Sequence, residues 1–348
     1  MKRFKLVYFL VCILIVALTL TSCVVKRDKT YTRNEYAVKD MIGIYGIYSD
    51  GDEYLAMGYD RENSYILSGH LGKDDMESVK FEIPYGDDYR GSFQKVYVKN
   101  DEIYLINQVY RYRYSTDANA APYSWNVLLF GYKEGIYIYC VDKEGNIKNA
   151  NEITEYIDKT DNELLGIEQN VTPKNMFVDN DKNIFVVYEK KVVVFDKDMN
   201  YLNEYAEPNT SIIYSVLTDK GQIMLICSNT SSITVMISDS SGVFSEYPLN
   251  PYKDASVYPV GVFAYKKNDK LIYMDDEKGI YSLDMKTSEA SLMFEWSDEK
   301  DRDILVPNPL VANENMLTLM DNGILFVNMD KDSFGRSEKV YIVTYMED

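Results

Sequence analysis

Short apolar runs separated by Asp, Asn, Lys and Gly recur along almost the whole chain after residue 40. The clearest stretch is Met176 to Tyr205, MFVDNDKNIFVVYEKKVVVFDKDMNYLNEY. Four apolar runs alternate there with three turn signals, at residues 179–183, 189–190 and 196–200. Polar clusters between β-branched and aromatic runs predict a four-stranded antiparallel meander. Such a unit has two faces and cannot bury both alone, so it needs neighbours of the same kind.

The rest of the chain supplies them. A first unit reads MIGIYGIYSD, DEYLAMGYD, SYILSGHLG and SVKFEI, with turns at 49–52, 61–63 and 72–75. A second, longer unit holds FQKVYVKN, EIYLINQVYRYRY, NVLLFGY, GIYIYCVD and NIKNANEI, interrupted by the small and polar residues 115–122. A fourth runs from IIYSVLTD to VFSEYPL and a fifth from VGVFAYKK to EASLMFEW. A sixth comprises PLVANEN, MLTLMD, GILFVNMD and KVYIVTY. Residues 153–170 are the one segment that fits a helix, although Ile153, Tyr156, Ile157, Leu164 and Leu165 keep no sustained helical period.

Registering the second strand of each unit on Tyr54, Tyr104, Phe185, Met224, Ile272 and Leu317 gives intervals of 50, 81, 39, 48 and 45. Four of these match the roughly 40–50 residues of one propeller blade. The interval of 81 is one long blade plus a connector, or two blades. The pattern therefore predicts an all-β fold, a propeller of four-stranded antiparallel blades, six in number or alternatively seven. No lone strand at either end shows how the ring would close.

The first 22 residues differ in kind. Lys2, Arg3 and Lys5 precede an apolar run from Leu6 to Leu20, broken only by Thr19. Fifteen residues is short for a membrane span, which needs about 20, and suits a secretory signal. Val24 to Asn34, rich in Lys, Arg and Thr, has the composition of a flexible spacer. The expected organisation is a signal peptide at 1–22, an anchor residue and tether at 23–35, and a single propeller at 36–348.

Composition then narrows the function classes. Hydrophobic residues make up 46%, enough for a substantial core. The net charge is −18, and −21 without the three basic residues of the leader. A field of that sign repels nucleic acid. Cys12 falls in the leader. Cys140 and Cys227 lie in strand-like runs and are expected as buried small apolar residues, with a disulfide between them as the alternative. There is no Cys/His ligand set for zinc, and no phosphate loop or dinucleotide fingerprint. Asp179, Asp181 and Asn183 have calcium-loop spacing. The Gly and Glu that such a loop requires are replaced by Ile184 and Lys190. No metal and no cofactor are expected.

Candidate chemistry is sparse. The single histidine, His70, has no Gly-x-Ser-x-Gly nucleophile elbow to pair with, and is expected as a surface or packing residue. With 55 Asp and Glu residues, no carboxylate pair stands out for glycoside hydrolysis. Tyrosine is abundant, 32 residues, a bias that the whole chain shares. Tyr110, Tyr112 and Tyr114 alternate with Arg111 and Arg113, and Tyr123 and Trp125 follow. Alternation places the three tyrosines on one strand face. Rings with a polar tip suit sugar or peptide contact, so Tyr110, Tyr112, Tyr114, Tyr123 and Trp125 form a candidate binding patch.

Two resemblances add to this reading. Leu20-Thr21-Ser22-Cys23 resembles the bacterial lipobox. That resemblance implies cleavage between Ser22 and Cys23, diacylglycerol on the Cys23 sulfur, and further acylation such as palmitate. Residues 178–205 resemble an NHL-type or TolB-like propeller repeat, with Asn183 where such a turn usually carries Gly. Together the features resemble propeller lipoproteins of low-GC Gram-positive bacteria. They imply an extracellular domain anchored to the outer face of the cytoplasmic membrane. The expected role is a non-enzymatic binding or scaffolding module for an envelope protein or glycan. The alternative is an extracellular hydrolase or lyase using acidic residues at the propeller channel.

Overall fold

The computed structural model describes residues 31–73, 75–84, 89–111, 132–157, 159–162, 167–170, 173–206, 211–218, 220–228, 233–239, 241–247, 261–266, 270–275, 279–284, 286–287, 289–295, 317–320, 323–331 and 337–347. Strand β1 (Tyr31–Val38) comes first. Blade 1 follows as β2 (Gly43–Asp50), β3 (Glu53–Tyr59), β4 (Ser64–His70) and β5 (Glu77–Phe81). Blade 2 is β6 (Tyr89–Lys99), β7 (Glu102–Arg111), β8 (Tyr132–Asp142) and β9 (Ile147–Glu152). A 3-10 turn at Thr154–Tyr156 and the hairpin β10 (Lys159–Asn162) and β11 (Ile167–Asn170) lead to the next blade. Blade 3 is β12 (Asn175–Val178), β13 (Ile184–Val187), β14 (Lys191–Phe195) and β15 (Tyr201–Ala206). Blade 4 is β16 (Ser211–Leu217), β17 (Ile223–Ser228), β18 (Ile233–Ser238) and β19 (Phe244–Glu246). Blade 5 is β20 (Gly261–Lys266), β21 (Lys270–Asp275), β22 (Gly279–Asp284) and β23 (Ala290–Glu295). The last strands are β24 (Leu317–Met320), β25 (Gly323–Lys331) and β26 (Ser337–Glu347).

Each of the five blades is a four-stranded antiparallel meander of consecutive strands. A further four-stranded sheet, in the order β1-β26-β25-β24, joins the first and last described strands. First strands of neighbouring sheets pack along one another: β24 on β2, β2 on β6, β6 on β12, and β16 on β20. This is a β-propeller, and its closing sheet holds the N-terminal strand as its outermost member.

The core is a set of seams between sheets. Blade 3 shows why its runs are continuously apolar: all residues of β12 and β13 are buried. Met176, Val178, Ile184 and Val186 enter the seam with blade 2. Phe177, Phe185 and Val187 enter the seam with blade 4. A strand buried on both faces has no polar alternation to keep. Each buried Val, Ile or Phe contributes about 1.5–3 kcal/mol of transfer free energy.

One turn design recurs. Asp179 Oδ1 accepts the backbone N–H of Asp181 and of Asn183, both at 2.8 Å, while Asn183 Nδ2 donates to Asp179 Oδ2. The same five-residue lock forms at Asp142–Asn146 and Asp196–Asn200, and with Ser241 and Val243 at Asp239. The fourth residue of each lock has positive φ: Gly145, Lys182, Met199 and Gly242. The repeat resemblance put the missing glycine at Asn183. The structure puts the left-handed position one residue earlier, at Lys182 (φ 64°). The calcium-loop spacing falls on this lock, in which Asp179 Oδ1 accepts the backbone N–H groups of Asp181 and Asn183.

Three other expectations are corrected. The tether does not extend to residue 35, because β1 starts at Tyr31 and pairs with β26 from Tyr31↔Glu347 to Val38↔Val340. Its polar look is that of an outer strand with one solvated face. Residues 153–170 form no α-helix among the described positions; they hold the 3-10 turn and a hairpin. These, with the excursion after Arg111, account for the interval of 81 as one long blade plus a connector. The last unit is parsed one strand late, since Leu317 belongs to the first strand of its sheet and PLVANEN lies outside the described residues. The reading of Cys140 and Cys227 holds: both are buried and not bridged, and they lie in different seams.

Candidate functional site

Turns between first and second strands, and between third and fourth, share one side of the ring, here the turn face. The opposite loop face carries the second-to-third connections and the links between blades. On the turn face a groove of about 500 Å³ opens between blades 1 and 2. Blade 1 supplies Asp50, Glu53, His70, Asp75 and Glu77; blade 2 supplies Asn100, Asp101 and Lys143; Tyr48, Tyr54 and Ser68 complete the lining.

Local sequence builds the blade 1 wall. Gly51 adopts φ 63°, and Ser49 Oγ caps the hairpin by donating to the carbonyls of Gly51 and Glu53. The Leu71 N–H donates to the Asp52 carbonyl at 2.7 Å, tying the two turns of blade 1 together. The His70 N–H donates to Asp75 Oδ1 at 2.9 Å, and the ring Nδ1 lies 2.8 Å from Asp75 Oδ2. On its other side Nε2 lies 3.5 Å from Glu53 Oε1. His70 is therefore a half-exposed imidazole bracketed by carboxylates of both turns. A β-carbon at Gly69 would press on Met76 Cα (3.2 Å), Tyr54 Oη (3.2 Å) and Asp75 Oδ1 (3.3 Å), so glycine permits that fold-back.

Protonation follows the geometry. The His70 backbone N–H, then its ring, holds the Asp75 carboxyl below its ordinary value. Burial, then the charge of Asp75, pushes Tyr54 up to about 12. Burial and then Asp50 push Tyr48 upward as well. The groove thus offers an Asp75 carboxylate whose charged form is favoured and two phenols, Tyr54 and Tyr48, whose protonated form is favoured. Wherever the fold shifts a carboxyl among the described residues, at Asp60, Asp75, Glu102, Asp142, Asp196 and Asp239, the shift is downward. A proton-donating acid at neutral pH needs the opposite shift.

A second polar cluster lies on the seam between blades 2 and 3. Glu102 accepts from Lys182 Nζ at 2.8 and 2.9 Å, from Lys148 Nζ at 3.4 Å and from Tyr104 Oη at 2.7 Å. Burial opposes its ionisation, but the Lys182 and Tyr104 hydrogen bonds outweigh it and lower its proton affinity. Burial raises the neighbouring Cys140 thiol to about 11, which leaves it inert as a nucleophile. Lys99 Nζ donates to the Val178 carbonyl at 2.7 Å across the same seam. These contacts fasten blades together.

The channel side bears on the hydrolase alternative. The six innermost strands read GIYGIYSD, YRGSFQKVYVK, NMFV, SIIYSVL, GVFAYK and LTLM. Their one carboxylate is Asp50, at the turn end of β2 and in the groove. Among the described residues no group of three or more His, Cys, Asp or Glu side chains is placed to hold a metal ion.

Of the sequence-derived patch, only Tyr110 lies on a described strand, where it pairs with Lys133 across β7 and β8. Tyr112, Tyr114, Tyr123 and Trp125 lie outside the described residues, as do Ser22 and Cys23. The structure instead gathers the groove residues. His70 and Asp75 are close in sequence, and that spacing was the one available signal. Glu53, Asp101 and Lys143 meet them only through blade packing.

No family model matches the chain, and no curated protein sequence matches it. Among solved structures it is similar to virginiamycin B lyase of Staphylococcus aureus, at 13% identity and TM-score 0.47, over 91% of this chain and 99% of that one. It is also similar to a Bacteroides thetaiotaomicron protein of unknown function, at 12% identity and TM-score 0.49, over 91% and 76% of the chains. A third likeness is the WD40 domain of Toxoplasma gondii coronin, at 6% identity and TM-score 0.42, over 92% and 87%. Likeness at such identities carries no argument about activity.

Proposed function

We propose that this chain is a lipid-anchored extracellular lipoprotein whose β-propeller is a binding or scaffolding module for an envelope protein. The acidic groove between blades 1 and 2 receives a cationic segment of that partner. Support for the anchor is the Leu20-Thr21-Ser22-Cys23 box after the apolar leader, with more than one acyl chain on Cys23 giving stable membrane retention. The binding role rests on one observation. The groove gathers Asp50, Glu53, Asp75, Glu77 and Asp101 beside a tyrosine, Tyr54, that burial keeps protonated, and hydrogen bonds from His70 favour the charged form of Asp75. The tyrosines around 110–125 form a second contact surface of the same module, for protein or glycan.

The test is crosslinking capture from intact cells. Wild type is compared with Glu53→Gln/Asp75→Asn/Asp101→Asn and with Tyr112→Ala/Tyr114→Ala/Trp125→Ala. Reduced partner recovery by the first variant is expected. Equal recovery by all three proteins would remove both contact surfaces from the proposal. Cys23→Ala is expected to release the protein from the membrane fraction, and retention would sink the anchor.

A further inference from the structure

Strand register fixes where a tether enters the ring. Met320 pairs with Gly323, Gly323 with Met346, and Met346 with Thr32. The start of β1 therefore lies level with the first turn of the closing sheet, on the turn face. Its other end is level with the loop face, where Val38 pairs with Val340 and Val340 with Met329.

We infer that the propeller is held with its turn face toward the bilayer and its loop face away from it. This rests on the anchor at Cys23 proposed above. Tyr31 is eight residues on from Cys23. A chain of that length spans at most about 28 Å fully extended, and as a flexible coil about 16 Å. The inner strand Gly43–Asp50 separates the two faces by about 23 Å at 3.3 Å per residue. Turning the loop face to the lipid would lift the start of β1 by that height and demand a nearly straight tether. With the turn face down, the relaxed tether suffices.

Charge sharpens the arrangement. Residues 24–30 carry Lys26, Arg27 and Lys29 against Asp28. Each basic residue near an anionic bilayer gains about 1 kcal/mol, which draws the tether inward. The ring after residue 30 is strongly acidic, and its repulsion from anionic lipid fades over about 8 Å at physiological salt. The ring therefore stands off the surface by roughly the relaxed tether length. The acidic groove opens into that gap, where it faces the juxtamembrane segments of membrane proteins. The connection between Arg111 and Tyr132 leaves and rejoins the ring on the outward face.

The experiment uses the lipidated chain purified from membranes and reconstituted in phosphatidylglycerol–phosphatidylethanolamine vesicles. Fluorophores are placed in blade 3 at Asp181→Cys on the turn face or Lys190→Cys on the loop face. Energy transfer to a headgroup-labelled acceptor lipid is recorded, with Cys23→Ala as control. Transfer at least twofold stronger from position 181 than from 190 is expected. Equal or reversed transfer on vesicles that carry the protein overturns the orientation alone. If the wild type floats with vesicles no better than Cys23→Ala, the anchor fails and the orientation with it.

Discussion

Glu102 offers a sharp test of how the blades are joined. Its side chain is only 16% exposed and serves three donors on two blades. Lys182 and Lys148 are about half exposed, so each ion pair is worth well under the value of a buried one, about 0.3–1 kcal/mol. Tyr104 is different: it is 3% exposed, and its hydroxyl donates to Glu102 Oε2 at 2.7 Å. Removing that acceptor leaves the hydroxyl with only the weakly hydrogen-bonding Cys140 thiol beside it, which costs about 1–3 kcal/mol. Glu102→Gln keeps an acceptor and is expected to lose about 1 kcal/mol. Glu102→Ala loses both kinds of contact and is expected to lose about 2–4 kcal/mol. Combining Glu102→Ala with Tyr104→Phe removes that hydroxyl, so the double variant should be more stable than the sum of the singles by about 1–2 kcal/mol. Urea unfolding midpoints measure this. The sign of the pH dependence follows from the lowered proton affinity of Glu102 in the folded state. Its stabilisation is complete above the ordinary glutamate value of about 4.3 and is lost as pH falls through the depressed one, so wild type and Glu102→Gln should converge in acid. Additivity within about 0.3 kcal/mol, or Gln as damaging as Ala, would refute the reasoning.

Other expectations follow from the turns and the closure. Deleting residues 24–38 should expose the edge of β26 along its eight-residue pairing with β1, lower stability by several kcal/mol and promote association. A Tyr31–Val38 peptide added in trans should reverse this on size-exclusion chromatography, and a monomer of unchanged midpoint would contradict it. Met199 combines φ 65° with full burial. Met199→Gly relieves about 1 kcal/mol of left-handed strain but forfeits roughly 2–4 kcal/mol of packing, so the variant should be destabilised; a stabilised one would show that strain dominates. Asp196 is held low chiefly by the Asn200 N–H, so its contribution is present above about pH 4 and fades below. Asp196→Asn should flatten that acid limb of stability, and an unchanged limb would argue against the lock.

Much of the architecture is legible in the chain because propeller blades repeat a local pattern. Met176–Tyr205 reads as four strands since its first and last turns carry Asp and Asn at the lock positions and its first three runs are almost wholly apolar. Closure is not legible. Tyr31–Val38 mixes Arg33, Asn34 and Glu35 with Tyr36 and Val38, as an outer strand with one wet face must, and that composition matches a tether. Missing that strand also shifts the parsing of the last unit, because a sheet supplied with only three local strands was given a fourth. The site is less legible still. Blade packing, which no spacing encodes, brings Glu53 and His70 opposite Asp101 and Lys143. The Tyr/Arg alternation at 110–114 is, by contrast, visible in the chain itself.

The central claim, that the propeller binds through its groove and does not turn over what it binds, is tested most directly with pentalysine. The measurement is titration of the purified protein at two salt concentrations, followed by the mass of the recovered peptide. Wild type should bind, and Glu53→Gln/Asp75→Asn/Asp101→Asn should bind about tenfold more weakly, as three partly exposed charge contacts together contribute about 1–2 kcal/mol. The recovered peptide should be intact. Affinity unchanged by the three substitutions would place binding in the general acidic field of the ring, and a cleaved peptide would make the protein a hydrolase.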